Sequence, residues 1–193
     1  MRARIAITAA RMMAEDGIED FALAKRKAAR QLGAEDTQSL PNNEEIETAL
    51  RDYQALYQGE EQRERIKTLR AQAFEVMQVL AQFRPYLAGP VLKGTAGRYS
   101  DIDLQLFTDD SKAVEIFLLS RNLAYDISDQ RHFAGDQARV VSILRLEWQR
   151  AVPVNLAIYP ANDERGSLKT SAAGRPMERA GIQAVSQLLF RDD

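Results

Sequence analysis

From the start of the chain to about Leu87 the apolar positions recur at helical spacing. Ile5, Ala9, Met12 and Met13 fall on one helical face, and Gly17 after Asp16 predicts a C-terminal stop. Phe21, Ala24, Ala28 and Leu32 continue the 3.6-residue period as far as Gly33. The stretch from Ala34 to Asn42 is polar, contains Pro41 and reads as a loop. Asn42 followed three residues later by Glu45 has the spacing of a capping box with Asn as the cap. Ile46, Ala49, Leu50, Tyr53, Leu56 and Tyr57 then predict a helix that stops near Gly59. The next helix, from Glu61 to Phe83, carries Ile66, Leu69, Ala73, Met77 and Leu80 at heptad-like spacing and ends before Pro85.

The second half changes period. Pro90-Val91-Leu92-Lys93 is a short apolar entry into Gly94. From Asp101 to Phe107 the chain alternates, with Asp101, Asp103, Gln105 and Phe107 on one face and Ile102, Leu104 and Leu106 on the other, which predicts a half-buried strand. Asp109-Asp110-Ser111 marks the start of an apolar helix to about Asn122. Ala124 to Ile127 reads as a short strand. Val140 to Trp148 and Val152 to Tyr159 are β-rich and flank Gln149-Arg150-Ala151, the pattern of an antiparallel hairpin. A last helix is expected after Gly174-Arg175-Pro176, with Pro in its first turn and Ala180, Ile182, Val185, Leu188 and Leu189 apolar. The expected class is α+β: an all-helical region over 1–87, then a mixed β-sheet domain with flanking helices over 88–193.

Composition narrows the chemistry. The 193 residues hold 26 Lys+Arg against 28 Asp+Glu, a net charge of −2, which excludes the strongly basic surface of bulk nucleic-acid binding. With no cysteine and one histidine, there is no disulfide framework, and a metal site has to be built from oxygen ligands. No apolar run approaches the length of a membrane span, and Met1-Arg2-Ala3-Arg4 leads into an amphipathic stretch without the apolar core of a secretory signal, so a cytoplasmic protein is expected.

One segment carries candidate chemistry: Val91-Leu92-Lys93-Gly94-Thr95-Ala96-Gly97-Arg98-Tyr99-Ser100-Asp101-Ile102-Asp103-Leu104. Aspartates two apart on a strand point to the same face, so both carboxylates can reach one ion. Oxygen-only ligation suits Mg²⁺ or Mn²⁺, which take further ligands from substrate phosphates. The glycines allow the backbone to approach a phosphate, Thr95 and Ser100 add hydroxyls, and Arg98 adds positive charge.

In these residues the chain resembles the polymerase-β-like nucleotidyltransferase superfamily, which includes kanamycin-type and minimal nucleotidyltransferases. Its signature is an apolar strand, Gly-Ser or Gly-Gly, a linker, and Asp-x-Asp on the next strand, with a third carboxylate from a later strand. Gly94-Thr95 matches the first element, and Ser100-Asp101-Ile102-Asp103-Leu104 the second. The resemblance implies a nucleoside triphosphate bound by Gly94 and Thr95, with Arg98 and Ser100 assisting. It further implies Mg²⁺ (or Mn²⁺) held by Asp101 and Asp103, and transfer of a nucleoside monophosphate to an acceptor that the sequence does not name.

Two features depart from that pattern. Only five residues separate Thr95 from Asp101, a shorter linker than the family carries. On the strand where the third carboxylate belongs, the polar position is Asn155, an amide that can ligate a cation but is a poor base. Glu147 is a substitute candidate. The alternative function is therefore a catalytically degenerate nucleotidyltransferase-fold protein that acts as a nucleotide-binding or protein-interaction module. A homo-oligomer, or a protein partner bound through the helical half, stays open.

The remaining conspicuous residues read as structural. His132, in the polar run Asp129-Gln130-Arg131-His132, reads as an exposed loop residue, Trp148 as a packing residue, and Met12-Met13 as part of a helix face. Ile5 to Gly33 is loosely similar to the first helices of bacterial helix-turn-helix regulators, and Lys25-Arg26-Lys27 with Arg30 adds positive charge. Glu15, Asp16, Glu19 and Asp20 lie close by and no recognition helix follows, so nucleic acid is not an expected partner.

Overall fold

The structure is a computed structural model that describes residues 1–34, 39–57, 59–149, 152–172 and 174–192. The chain forms two compact units: residues 1–66 with 94–100, and residues 67–93 with 101–193. Among the described residues no helix is long and apolar enough to cross a membrane.

In the first unit, helices α1 (Arg2–Asp16), α2 (Phe21–Gln31) and α3 (Asn43–Tyr57) bury a small-residue core in which Ala6, Ala9, Ala10, Ala24 and Ala28 surround Ile5 and Ile46. Alanines on facing stripes let the helices approach closely. Gly17 closes α1 in the left-handed conformation, at φ 68°. The Asn42–Glu45 capping box forms reciprocally: the Glu45 N–H donates to Asn42 Oδ1 at 2.8 Å, and the Asn42 N–H donates to Glu45 Oε2 at 2.6 Å. Helix α4 (Gly59–Val79) follows.

The second unit is built on a seven-stranded mixed sheet, so the chain is α+β. Its strands are β1 (Tyr86–Ala88), β2 (Ile102–Phe107), β3 (Tyr125–Ala134), β4 (Gln137–Trp148), β5 (Val152–Tyr159), β6 (Leu168–Lys169) and β7 (Ala180–Gly181), in the spatial order β6-β3-β4-β5-β2-β1-β7. Between these strands lie the helices α5 (Gly89–Lys93) and α6 (Ser111–Ser120), and α7 (Ile182–Asp192) ends the chain. Asp110 caps α6 by accepting the Ala113 N–H at 3.0 Å. Ala73 and Met77 on α4, and Leu80 just after it, are buried, as the heptad-like spacing requires, while Leu69 stays partly exposed. Strands β4 and β5 pair antiparallel from Ser142↔Ile158 to Trp148↔Val152, as the hairpin pattern predicts. The turn residues Arg150 and Ala151 lie outside the described residues.

Three expectations are corrected. Strand β2 is covered on both faces, not half-buried: Ile102, Leu104 and Leu106 are buried on one side and Gln105 and Phe107 on the other. The second face is covered because the chain after β5 folds back over it, bringing Leu168 and Met177 against Phe107, Val141 and Tyr159. The last helix starts at Ile182 rather than near Pro176. The preceding stretch is kept out of helix by tertiary hydrogen bonds, from Met177 N–H to the Leu168 carbonyl (2.7 Å) and from the Arg179 guanidinium to the Glu164 and Gly166 carbonyls, and Ala180 joins β7. His132 is not in an exposed loop. It lies on β3, 7 % exposed, with Nδ1 2.6 Å from the Tyr159 hydroxyl.

Candidate functional site

Strands β2 and β5 run parallel, and their register sets Asp103 beside Asn155. Strand β4 then sets Arg145 beside Asn155 on the other side. Neighbours across a sheet project to the same face, so Asp103, Asn155 and Arg145 form one polar row across three strands. Asp101, two residues before Asp103, joins the row from the residue preceding β2. The Asn155 amide nitrogen donates to Asp101 Oδ2 at 3.1 Å and to Asp103 Oδ1 at 3.0 Å. Arg145 Nη2 lies 3.3 Å from the same Asp101 Oδ2. Burial pushes the Asp103 carboxyl up from the usual carboxylate range; the Asn155 hydrogen bond opposes that shift, and the nearby Asp101 charge adds to it.

Gly89 stands directly beside this row. It follows β1, whose Ala88 is paired with Asp103, and it adopts φ +69°. A Cβ placed on Gly89 would come within 2.4 Å of Asp103 Oδ2 and within 3.3 Å of Asp103 Cβ, so only glycine lets the backbone pass here. The short helix α5 that begins at Gly89 is held at its far end by Arg70, 9 % exposed, whose Nε and Nη2 donate to the carbonyls of Val91 (3.1 Å) and Leu92 (2.9 Å).

The other residues singled out in the sequence are placed differently. Gly94, Thr95, Arg98 and Ser100 belong to the first unit. There the segment is tied to the helices: the Thr95 carbonyl accepts from Gln54 Nε2 at 3.0 Å, and the Ala96 carbonyl accepts from Gln62 Nε2 at 2.5 Å. Thr95 is 7 % exposed, and the Ser100 hydroxyl accepts the Gly97 N–H at 2.9 Å. Arg98 is exposed. Glu147 is exposed on β4 opposite Pro153, one pleat repeat along from Arg145. Trp148 lines an apolar cleft with Val76, Leu80, Phe117, Leu123 and Leu146.

Sequence reasoning missed Gly89 and Arg145. A signal for the first was present: the apolar run Tyr86-Leu87-Ala88 immediately precedes Gly89, twelve positions before Asp101, which is the strand–glycine–linker order with a longer linker than Gly94-Thr95 allows. Arg145 is a single cation in the apolar run Val140 to Leu146, but only the β4–β5 register connects it to Asn155. Among the described residues no group of three or more His, Cys, Asp or Glu side chains is arranged to hold a metal ion; beside Asp101 and Asp103 the third polar group is the amide of Asn155.

No family model matches the chain. No curated protein matches its sequence. Among solved structures the chain is similar to a cytoplasmic RNA terminal U-transferase, with 19% sequence identity over 51% of this chain and a TM-score of 0.31. The matched region is 28% of that protein, so the likeness spans little more than a quarter of its length.

Proposed function

We propose that this chain is a nucleotidyltransferase-type protein that binds a nucleoside triphosphate together with a divalent cation, Mg²⁺ or Mn²⁺, and transfers the nucleotidyl group slowly. The observation that carries this reading is the meeting of Asp101, Asp103 and Asn155 on one sheet face beside Gly89. Two carboxylates and an amide form a hard oxygen donor set of the kind that suits these ions. The amide now presents its nitrogen to both carboxylates, and a half-turn of its side chain presents the oxygen instead. Asp103, with its carboxyl already pushed up by burial and by the Asp101 charge, favours a compensating cation. The residues therefore fit such an ion, with Asp101 and Asp103 as ligands and Asn155 as an auxiliary. When bound, the ion would neutralise charge on the phosphates and on the leaving pyrophosphate.

The protein's own groups set the rate. Gly89 lets the backbone pass directly against the Asp103 carboxylate, where any side chain would collide. Asn155 brings no negative charge and accepts no proton from an incoming hydroxyl, and a lost general base lowers a rate by about 10²- to 10⁴-fold. Positioning and charge stabilisation are retained, and these dominate phosphoryl-type transfer.

Because the Asn155 nitrogen bonds to both carboxylates, a second reading is a nucleotide-binding or interaction module without transfer. Asn155→Asp separates the two. Transfer from labelled triphosphates to a panel of hydroxyl acceptors should rise in this variant if the chain is a slow enzyme. If Asn155→Asp binds triphosphate and still transfers nothing, the module reading holds. If neither form binds a triphosphate with millimolar Mg²⁺ or Mn²⁺, the transferase and nucleotide-binding readings fail and the interaction module is what remains.

A further inference from the structure

Arg145 is placed on the candidate site by strand register but is not required by the core. Its side chain is 61% exposed, whereas the Asp101 carboxylate it faces is 12% exposed. One oxygen of that carboxylate, Oδ2, thus meets two donors: the Asn155 amide at 3.1 Å and the Arg145 guanidinium at 3.3 Å. On the opposite side, β3 sets the exposed Asp126 against Arg145 in the sheet register, so the arginine has an acidic neighbour on either flank. Holding a long, exposed side chain in one geometry costs rotamer entropy, and a part-exposed ion pair returns little. The position is favourable because Asp101 and Asp103 together form a like-charged pair that a cation relieves.

Building on the nucleotide-binding reading above, we infer that Arg145 is the resident counter-cation of this carboxylate pair and becomes a phosphate ligand when the site fills. Without a divalent ion, the guanidinium neutralises Asp101. With Asp101 and Asp103 holding a divalent ion, Arg145 would give up the Asp101 oxygen it now faces. Its planar fork, on an exposed stem, would then turn to oxygens of the triphosphate, a geometry for which guanidinium is well suited. Arg145 is thus a substrate-binding residue supplied by the sheet itself.

Opposite signs for metal and nucleotide test this. Mn²⁺ affinity of the full chain is measured alone by electron paramagnetic resonance, and ATP affinity at saturating Mn²⁺ by equilibrium dialysis, for wild type, Arg145→Met and Arg145→Lys. Arg145→Met is expected to bind Mn²⁺ alone about two- to fivefold more tightly, the scale of a part-exposed ion pair. It should bind Mn²⁺–ATP about tenfold more weakly, the scale of a lost charge-assisted contact. Arg145→Lys keeps the charge, so its Mn²⁺ affinity should stay near wild type, while its ATP affinity falls less than that of Arg145→Met because the fork alone is lost. If the Mn²⁺ affinity of Arg145→Met is unchanged or weaker, or if its ATP affinity is not reduced, this proposal is overturned while the nucleotide reading stands. A wild-type chain that binds no triphosphate overturns that reading and the phosphate step here together.

Discussion

Gly89 and Asp103 are so close that a single methyl group cannot be placed between them: a Cβ on Gly89 would lie 2.4 Å from the Asp103 carboxylate oxygen. The backbone of Gly89 is also left-handed, at φ +69°, which costs a non-glycine residue roughly 1 kcal/mol or more before any contact is considered. Gly89→Ala is therefore expected to lower unfolding free energy by about 1–3 kcal/mol in urea titration, from strain and displacement of Asp103 together. It should also reduce any Mn²⁺-induced rise in melting temperature, since the carboxylate has to turn away. Gly97→Ala is the control, because a Cβ there meets nothing within 4 Å.

The carboxylate pair makes a separate prediction. Mn²⁺ should raise the melting temperature of the wild-type chain by binding the folded form, and Asp101→Asn with Asp103→Asn should remove that shift. Removing the like charges should leave the double variant at least as stable as wild type in the absence of metal, because Asp103 is held above its usual carboxyl range by burial and by Asp101. Differential scanning calorimetry with and without Mn²⁺ reads both effects. Equal shifts in the two proteins would place the ion elsewhere.

What was legible in the sequence depended on how local the determining interactions are. The Asn42–Glu45 box, the Asp110 cap and the Gly17 stop each span a few residues, and all three form in the expected places. The alternation from Asp101 to Phe107 identifies β2 but cannot tell that its Gln105 and Phe107 face is covered, because Leu168 and Met177 come from far along the chain. For the same reason the run around Pro176 looks helical in isolation, although hydrogen bonds to Leu168, Glu164 and Gly166 hold it otherwise. In the candidate site, the shared face of Asp101 and Asp103 follows from the strand period. The approach of Gly89 and Arg145 requires the register of β1 with β2 and of β4 with β5, which no local pattern encodes.

The capping box predicts an acid-labile contribution. Glu45 accepts from Arg2 at 2.7 Å and from the Asn42 N–H, and these bonds lower its carboxyl to about 2 from an ordinary value of 4.5. A carboxyl lowered in the folded state binds protons more readily when unfolded. Its stabilisation is therefore complete above about pH 4.5 and is lost as the pH falls towards 2. Glu45→Gln should flatten the wild-type loss of stability across that window in acid unfolding monitored by circular dichroism. Asn42→Ala should cost about 1 kcal/mol at neutral pH, as the loss of a helix cap does.

The buried His132–Tyr159 pair gives a signature at milder pH. Tyr159 is 1 % exposed and its hydroxyl is held well above its ordinary range by burial, so it stays protonated and donates to His132 Nδ1 at 2.6 Å. That assigns the remaining proton to Nε2, which faces Gln130 Oε1 at 3.3 Å. The neutral ring satisfies both partners, whereas a charged ring would lose its acceptor. Burial accordingly lowers the His132 pKa below 6.5. The unfolded chain then takes up a proton that the folded chain refuses, so the contribution of His132 is complete above about pH 6.5 and declines as the pH falls through that value towards the lower folded pKa. The slope is at most about 1.4 kcal/mol per pH unit for one proton. Since His132 is the only histidine, His132→Leu should remove this slope between pH 5 and 7 in urea unfolding, while lowering stability at pH 7 because the Tyr159 hydroxyl loses its acceptor. A wild-type stability that is flat across that interval would mean that folding leaves the His132 pKa unchanged, and one that rises as the pH falls would mean that the ring is charged in the fold; either result overturns the assigned proton positions.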